Sequence, residues 1–279
     1  MPRRHVEHLH APQIAAQPLA WPGWPGGAAY KPLSRDGQTG ALSCLVVLPD
    51  GWRRGPVTTV SDCELVVARG ILRIGGEDLR IGSYSLSPTG AGDEEWLACG
   101  ETELFFAARS GPPDVRSRHD GDRAATRVAA ERLPWGPTPI ADGPPNIEVA
   151  MLRRTEAGEM SALVRGGPRR FPAYEFHDCV EECFLLDGDI MISPGGQMRA
   201  GTYFWRPPYL THGQSSCEES SLLYVYTDAA LVNHFADGFH RTPAENRVQA
   251  AAERAAAGAR APVGRTPDAG QPSRAVATT

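Results

Sequence analysis

The sequence predicts an all-β protein made of two tandem copies of one jelly-roll or barrel domain, with a short helix near the C-terminus. Two observations carry this. Short apolar runs such as ALSCLVVL, CELVVA, TELFFAA, CFLLD and SLLYVYT are punctuated by frequent glycine and proline, and several alternate apolar with polar residues as half-buried strands do. No long helical periodicity occurs before about residue 229. The chain also repeats itself. PLSRDGQTGALSCLVVLPDG (32–51) aligns with MLRRTEAGEMSALVRGGP (151–168), CELVVARG (63–70) with EECFLLDG (181–188), and GSYSLSPTGAGD (82–93) with GTYFWRPPYLTH (201–212). The paired blocks begin 118 or 119 residues apart in all three cases, which identifies two copies of one unit.

These blocks divide the chain in order. Residues 1–29 form a Pro-rich N-terminal arm, and 30–110 are the first β-domain. Residues 111–138, polar and Pro-rich, read as a connection, and 139–243 are the second β-domain. Residues 244–279 begin as a short helix and end in a low-complexity tail expected to be disordered.

A net charge of −5 argues against a nucleic-acid partner, which needs a basic face to neutralise phosphates. No apolar run reaches the roughly 18 residues that a bilayer span needs, so no membrane partner is expected. The N-terminus MPRRHVEHLHAPQ has no signal-peptide core, and a cytoplasmic protein is expected. The six cysteines (44, 63, 99, 179, 183 and 217) sit mostly in strand-like runs and read as buried thiols. No nucleophile elbow, phosphate loop or dinucleotide fingerprint is present, and the adjacent His119 and Asp120 in the connection are not a hydrolase signal.

The chemistry concentrates in the second copy, in YEFHDCVEEC and GTYFWRPPYLTH. Glu175, His177 and Glu181 share parity, and residues two apart on a strand share a face. His212 follows on the next predicted strand pair. Two imidazoles and one or two carboxylates inside a small barrel suit Fe(II), Mn(II), Ni(II) or Zn(II). Glu182 competes with Glu181, because a one-residue bulge exchanges their faces. Glu175 is either a ligand or a group that orients a histidine. In the first copy Thr59, Cys63 and Asp93 stand where His177, Glu181 and His212 do. Loss of all three together marks that copy as metal-free and the second as the site.

The two blocks resemble the paired motifs of the cupin superfamily. Glu175-x-His177, three residues, Glu181, six residues and Gly188 match the first motif, with Glu175 where a histidine is usual. Gly201, five residues, Pro207-Pro208-Tyr209, two residues and His212 match the second, with Tyr209 where a glycine is usual. The resemblance spans residues 30–230 as a bicupin, and is nearest to cupins related to the anti-sigma factor ChrR and to small diketone- or acetophenone-cleaving dioxygenases.

It implies two double-stranded β-helix barrels and one divalent metal per chain, Fe(II) favoured, held by His177, Glu181, His212 and Glu175. It also implies a dioxygenase that brings O₂ to a small, metal-chelating organic substrate. The alternatives are a non-redox isomerase or lyase, with Glu175 or Glu182 as base, and a zinc- or ligand-sensing regulatory cupin.

Tyr203 and Trp205 share an odd-numbered face and either line the cavity or pack in the core; Tyr209 lies beside His212. Arg206 or Arg170 would anchor a substrate carboxylate or form a surface ion pair. The arm with His5, His8 and His10 is of the kind that packs on a barrel edge, and the edge strands suggest a homodimer.

Overall fold

The computed structural model describes residues 2–117, 125–138 and 145–260. Two β-rich halves are followed by one helix, Pro243–Arg260, which at 18 residues is longer than expected. Its start is a capping box: Thr242 Oγ1 accepts from the Glu245 amide at 3.3 Å, and Glu245 accepts in return from the Thr242 amide at 2.8 Å. No helix among the described residues is long and apolar enough to cross a membrane.

In the first half a seven-stranded antiparallel sheet runs in the order Thr126–Val128, Tyr84–Ser87, Cys63–Arg69, Thr102–Ala108, Leu42–Leu48, Ala29–Arg35, Gln17–Pro18. Smaller sheets of four and three strands oppose it. The second half is built around the 13-residue strand Glu181–Ser193. Its first part pairs with Ser221–Thr227 and Thr202–Arg206; its second part pairs with His212–Cys217 and Gly196–Arg199. One strand therefore serves both layers of a jelly roll. The bend between the parts sits at Gly188, whose φ is +75°, where a Cβ would collide with the Ser220 carbonyl. Its repeat partner Gly70 has φ +79° and meets the Glu101 carbonyl in the same way, so the two copies turn the same corner.

The polar segment 111–138 carries short strands of its own. Val115–Ser117 pairs with Val57–Thr59, Thr126–Val128 with Tyr84–Ser87, and Trp135–Pro137 with Ile147–Arg154. His119, Asp120 and the tail after residue 260 lie outside the described residues. The N-terminal arm crosses to the other half: Val6–His10 pairs with Thr202–Arg206 and covers that strand's edge.

Both faces of the large sheets are buried, which explains why their sequences read as continuous apolar runs rather than strict alternation. Leu104 and Phe106 face the interior of the first barrel, whereas Phe105 faces the second half. Cys183 and Leu185 line the interior of the second barrel, whereas Phe184 and Leu186 meet Phe105 between the barrels. The Phe105 and Phe184 rings stack at 5.1 Å.

A polar network threads this interface. Glu182 accepts from Arg3 at 2.9 Å and Tyr203 at 2.6 Å, and is ion-paired to Arg109. Arg109 donates to Tyr224, which in turn bonds Glu64; Ser161 and Arg153 also donate to Glu64, at 2.7 and 3.0 Å. Burial opposes the charge on Glu182, yet Arg109 and Arg3 outweigh it and hold the carboxyl down at about 2. Removing this carboxylate takes the nearest counter-ion from Arg109 and Arg3 and leaves Arg109 only Glu64, at 3.7 Å. Glu182→Ala is expected to lower the unfolding free energy by about 3–5 kcal/mol in a denaturant titration, with metal content unchanged.

Candidate metal centre

Glu175 is the last residue but one of the strand Arg169–Phe176, directly opposite His212 in the ladder, and His177 follows just beyond the strand. Ligand atoms of Glu175, His177 and His212 all lie within 4.8 Å of one another. Small side-chain adjustments would place all three about 2.1 Å from one ion. Each histidine is oriented by a backbone carbonyl. His177 Nδ1 lies 3.1 Å from Val232 O, and His212 Nδ1 lies 3.2 Å from Leu210 O. A carbonyl only accepts, so both rings carry their proton on Nδ1 and leave Nε2 as a free lone pair. Burial keeps His177 neutral; burial together with the Arg206 charge pulls His212 down to about 3.

Glu181 stands beside this trio, its Oε2 3.5 Å from His212 Nε2. The same oxygen accepts from Arg206 at 2.9 Å. Burial opposes its charge, but the Arg206 guanidinium outweighs that and holds the carboxyl below its usual range. Arg206 is buried and is clamped from the other side by Glu7 of the N-terminal arm at 2.5 Å. Its guanidinium is thus shared between two carboxylates, which removes it as a substrate anchor; Arg170 is exposed.

The donor set fits a divalent ion. Glu175 Oε2 is buried without a hydrogen-bond partner, and burial followed by the Glu181 charge pushes this carboxyl up to about 7. A cation shared with two neutral imidazoles is the compensation such a carboxylate lacks. The group opens onto a cavity of about 340 Å³ inside the second barrel, with walls that include Val149, Met160, Ile190, Ile192, Phe204, Leu223 and Val225. Cys183 also lines it and Cys179 is buried nearby; all six cysteines are free. In the first barrel Thr59, Cys63 and Asp93 meet at the equivalent place, but Asp93 is ion-paired to Arg54 at 2.5 Å and Arg54 stacks on Trp96. Trp24, Trp96 and Phe106 fill that interior and leave only about 10 Å³. A broader groove of about 480 Å³, lined by Trp135, Arg165 and Leu222, holds no histidine or cysteine.

Four residues expected at the site lie elsewhere. Glu182, Tyr203 and Trp205 point into the inter-barrel interface. The ladder gives the reason: Glu181 pairs with Arg206 and Cys183 with Phe204, so odd residues of one strand share the cavity face with even residues of the other. Tyr209 is outside the cavity lining, and its role is in the backbone. It adopts φ +69°, the conformation the usual glycine takes freely, and its amide donates to His177 O at 2.7 Å. The C-terminal helix supports this strained turn. Buried Asn246 donates to Tyr209 O at 2.8 Å and to Thr211 Oγ1 at 2.7 Å, and Arg247 lies over the Tyr209 ring. The helix is also tethered through Glu253, 2.5 Å from His234 Nδ1, and through Arg254 on Asp178. Glu7 and Asn246 escaped sequence reading because each acts on residues far along the chain. The Thr-Pro-Ala-Glu capping box was the one local sign that an ordered helix stood there.

His212→Ala is expected to abolish retention of a divalent ion through desalting, read by mass spectrometry. Asn246→Ala, which frees the turn carrying Leu210 O, is expected to weaken metal binding by about 10–100-fold in a chelator competition.

Residues 17–234 match the model of the family DUF4437, described as a domain of unknown function. No curated protein matches the sequence. Among solved structures the fold is similar to that of a protein from Nostoc punctiforme PCC 73102 proposed to be a dioxygenase, with TM-score 0.76, 18% identity, and 85% of this chain and 87% of that chain covered. It is also similar to oxalate decarboxylase of Bacillus subtilis, with TM-score 0.54, 14% identity, and 90% and 84% covered. Another structure of that enzyme, solved in work on its Mn(II) centres, aligns with TM-score 0.53, 14% identity and the same coverage. The two jelly rolls are thus a bicupin fold, and by its sequence the chain belongs to the DUF4437 family.

Proposed function

We propose that this protein is a metal-dependent enzyme, an Fe(II) dioxygenase that acts on a small oxygenated organic molecule. The observation that carries the reading is the convergence of Glu175, His177 and His212 on a largely apolar cavity. Two histidines and one carboxylate with open positions are the ligand set of non-haem Fe(II) oxygenases. An iron ion there would supply Lewis acidity and one-electron chemistry toward dioxygen.

The chain's own residues do the rest. The carbonyls of Val232 and Leu210 fix the imidazoles, and Glu175 supplies negative charge. Arg206 holds Glu181 beside the set without entering it. The apolar walls suit a hydrocarbon portion, and about 340 Å³ suits a ligand at the small end of the usual range. The similarity to a proposed dioxygenase supports the reaction class.

Lewis-acid isomerisation is less well supported. It needs a carboxylate base free in the cavity. The carboxylates lining the cavity among the described residues are Glu175, in the ligand set, and Glu181, committed to Arg206.

The test is anaerobic reconstitution with Fe(II), then oxygen-electrode assays against β-diketones and hydroxyaryl ketones. About one iron per chain and substrate-dependent oxygen uptake, lost in His212→Ala, are expected. Failure to retain any metal, or uptake that survives His212→Ala, would overturn the proposal. Turnover without oxygen on a zinc-loaded protein would favour the Lewis-acid chemistry instead.

A further inference from the structure

Arg169 is a buried cation that the fold leaves uncompensated. It is 6% exposed and lines the same cavity as the candidate metal centre. Its polar contacts are neutral: Nη1 donates to Gly167 O at 3.1 Å, Nη2 donates to Ser221 Oγ at 2.9 Å, and the thiol of Cys217 lies across the ladder. Its Nε has no hydrogen-bond partner. Among the described residues the other deeply buried arginines each have a carboxylate: Arg54 has Asp93, Arg109 has Glu182, and Arg206 has Glu7 and Glu181. Arg169 has none. A guanidinium out of water without a counter-ion is costly unless a ligand supplies the missing charge, and its planar fork is shaped for a carboxylate.

Its position defines the shape of that ligand. Arg169 begins the strand that Glu175 nearly ends, six residues further on. The strand bulges between Phe171 and Tyr174, so its six residues oppose five on the partner; at about 3.3 Å per residue this is about 17 Å of ladder, with the two polar groups toward opposite ends of one cavity. Between them the walls are apolar, with Ile190, Ile192, Leu223 and Val225 among them. Oxalate, with no hydrocarbon portion, matches this lining poorly.

We propose that the cavity takes an organic carboxylate with an apolar body, its carboxylate seated on Arg169 and its oxygenated end facing Glu175, His177 and His212. This names a substrate class for the activity proposed above, and rests on that reading for the metal-facing end alone.

The experiment is calorimetric titration of the metal-free full chain with 4-phenylbutyrate and its uncharged amide, then the same pair on protein loaded with zinc. The acid is expected to bind at least about tenfold more tightly than the amide in both forms, and the preference to fall to about one in Arg169→Gln. The ligand-free Arg169→Gln protein is expected to melt no lower than wild type, because the substitution removes an unpaired buried charge. Should that variant not fold, Arg169→Lys carries the comparison: it keeps the charge without the fork, and the preference is expected to shrink but stay above one. Equal binding of acid and amide by wild type, or a preference unchanged in either variant, would overturn the assignment. Acid preference intact in a protein that retains no metal would instead remove the metal reading and leave the carboxylate site standing.

Discussion

The strand's period of two is the constraint on which this molecule depends. From Glu181 to Leu186 the odd side chains enter the second barrel and the even ones enter the interface between barrels. Both environments are set by their neighbours, so each of these positions is committed to one face. Glu181 and Glu182 are neighbours with the same side chain, yet one meets the histidine cluster and Arg206 while the other is bound by Arg3, Arg109 and Tyr203. A one-residue slip would exchange a cavity wall for a glue residue along the whole strand. The buried polar network of Glu64, Arg109 and Glu182 opposes such a slip, because each charge is satisfied in one register only.

The two barrels share a plan and differ in what fills them. The first is closed by tryptophans, with the buried Arg54–Asp93 pair where the second has imidazole and carboxylate. Unsatisfied buried atoms occur in both, Arg54 Nε and Trp96 Nε1 in the first, but the second also keeps its space, and there Glu175 Oε2 and Arg169 Nε stand beside a cavity. Buried polar atoms without partners are unfavourable, and a fold that retains them beside a cavity is prepared for something that enters it. The first barrel's part is mechanical: its Phe105 and Glu64 faces support the sheet from which Glu181 projects.

The sister copy contained an answer that local reading of the motif left open. Glu182 is matched at the repeat offset by Glu64, and both carboxylates serve the interface; Glu181 is matched by Cys63. Chemistry kept in both copies belonged to packing, and chemistry present in one belonged to the site. Tyr203 and Trp205 went astray for a related reason. The two share parity, but parity alone does not say which face looks inward, and the ladder with Glu181 and Cys183 decides it. Tyr209 departs from glycine at a left-handed turn because a helix more than thirty residues away braces that turn through Asn246.

By itself the sequence determined the all-β class and the repeated blocks, and it pointed to Glu175, His177, Glu181 and His212 as one group, since strand period, glycine corners and motif spacing are local properties of the chain. Only the tertiary structure decided which acidic neighbour faces the cavity, that Arg206 is held by Glu7 and Glu181, and that Arg169 has no counter-ion. Those outcomes depend on register between strands, on which faces become buried, and on contacts between segments up to 199 residues apart. A chain read in order does not reveal such pairings, because burial and electrostatic compensation are set by whichever side chain arrives from elsewhere.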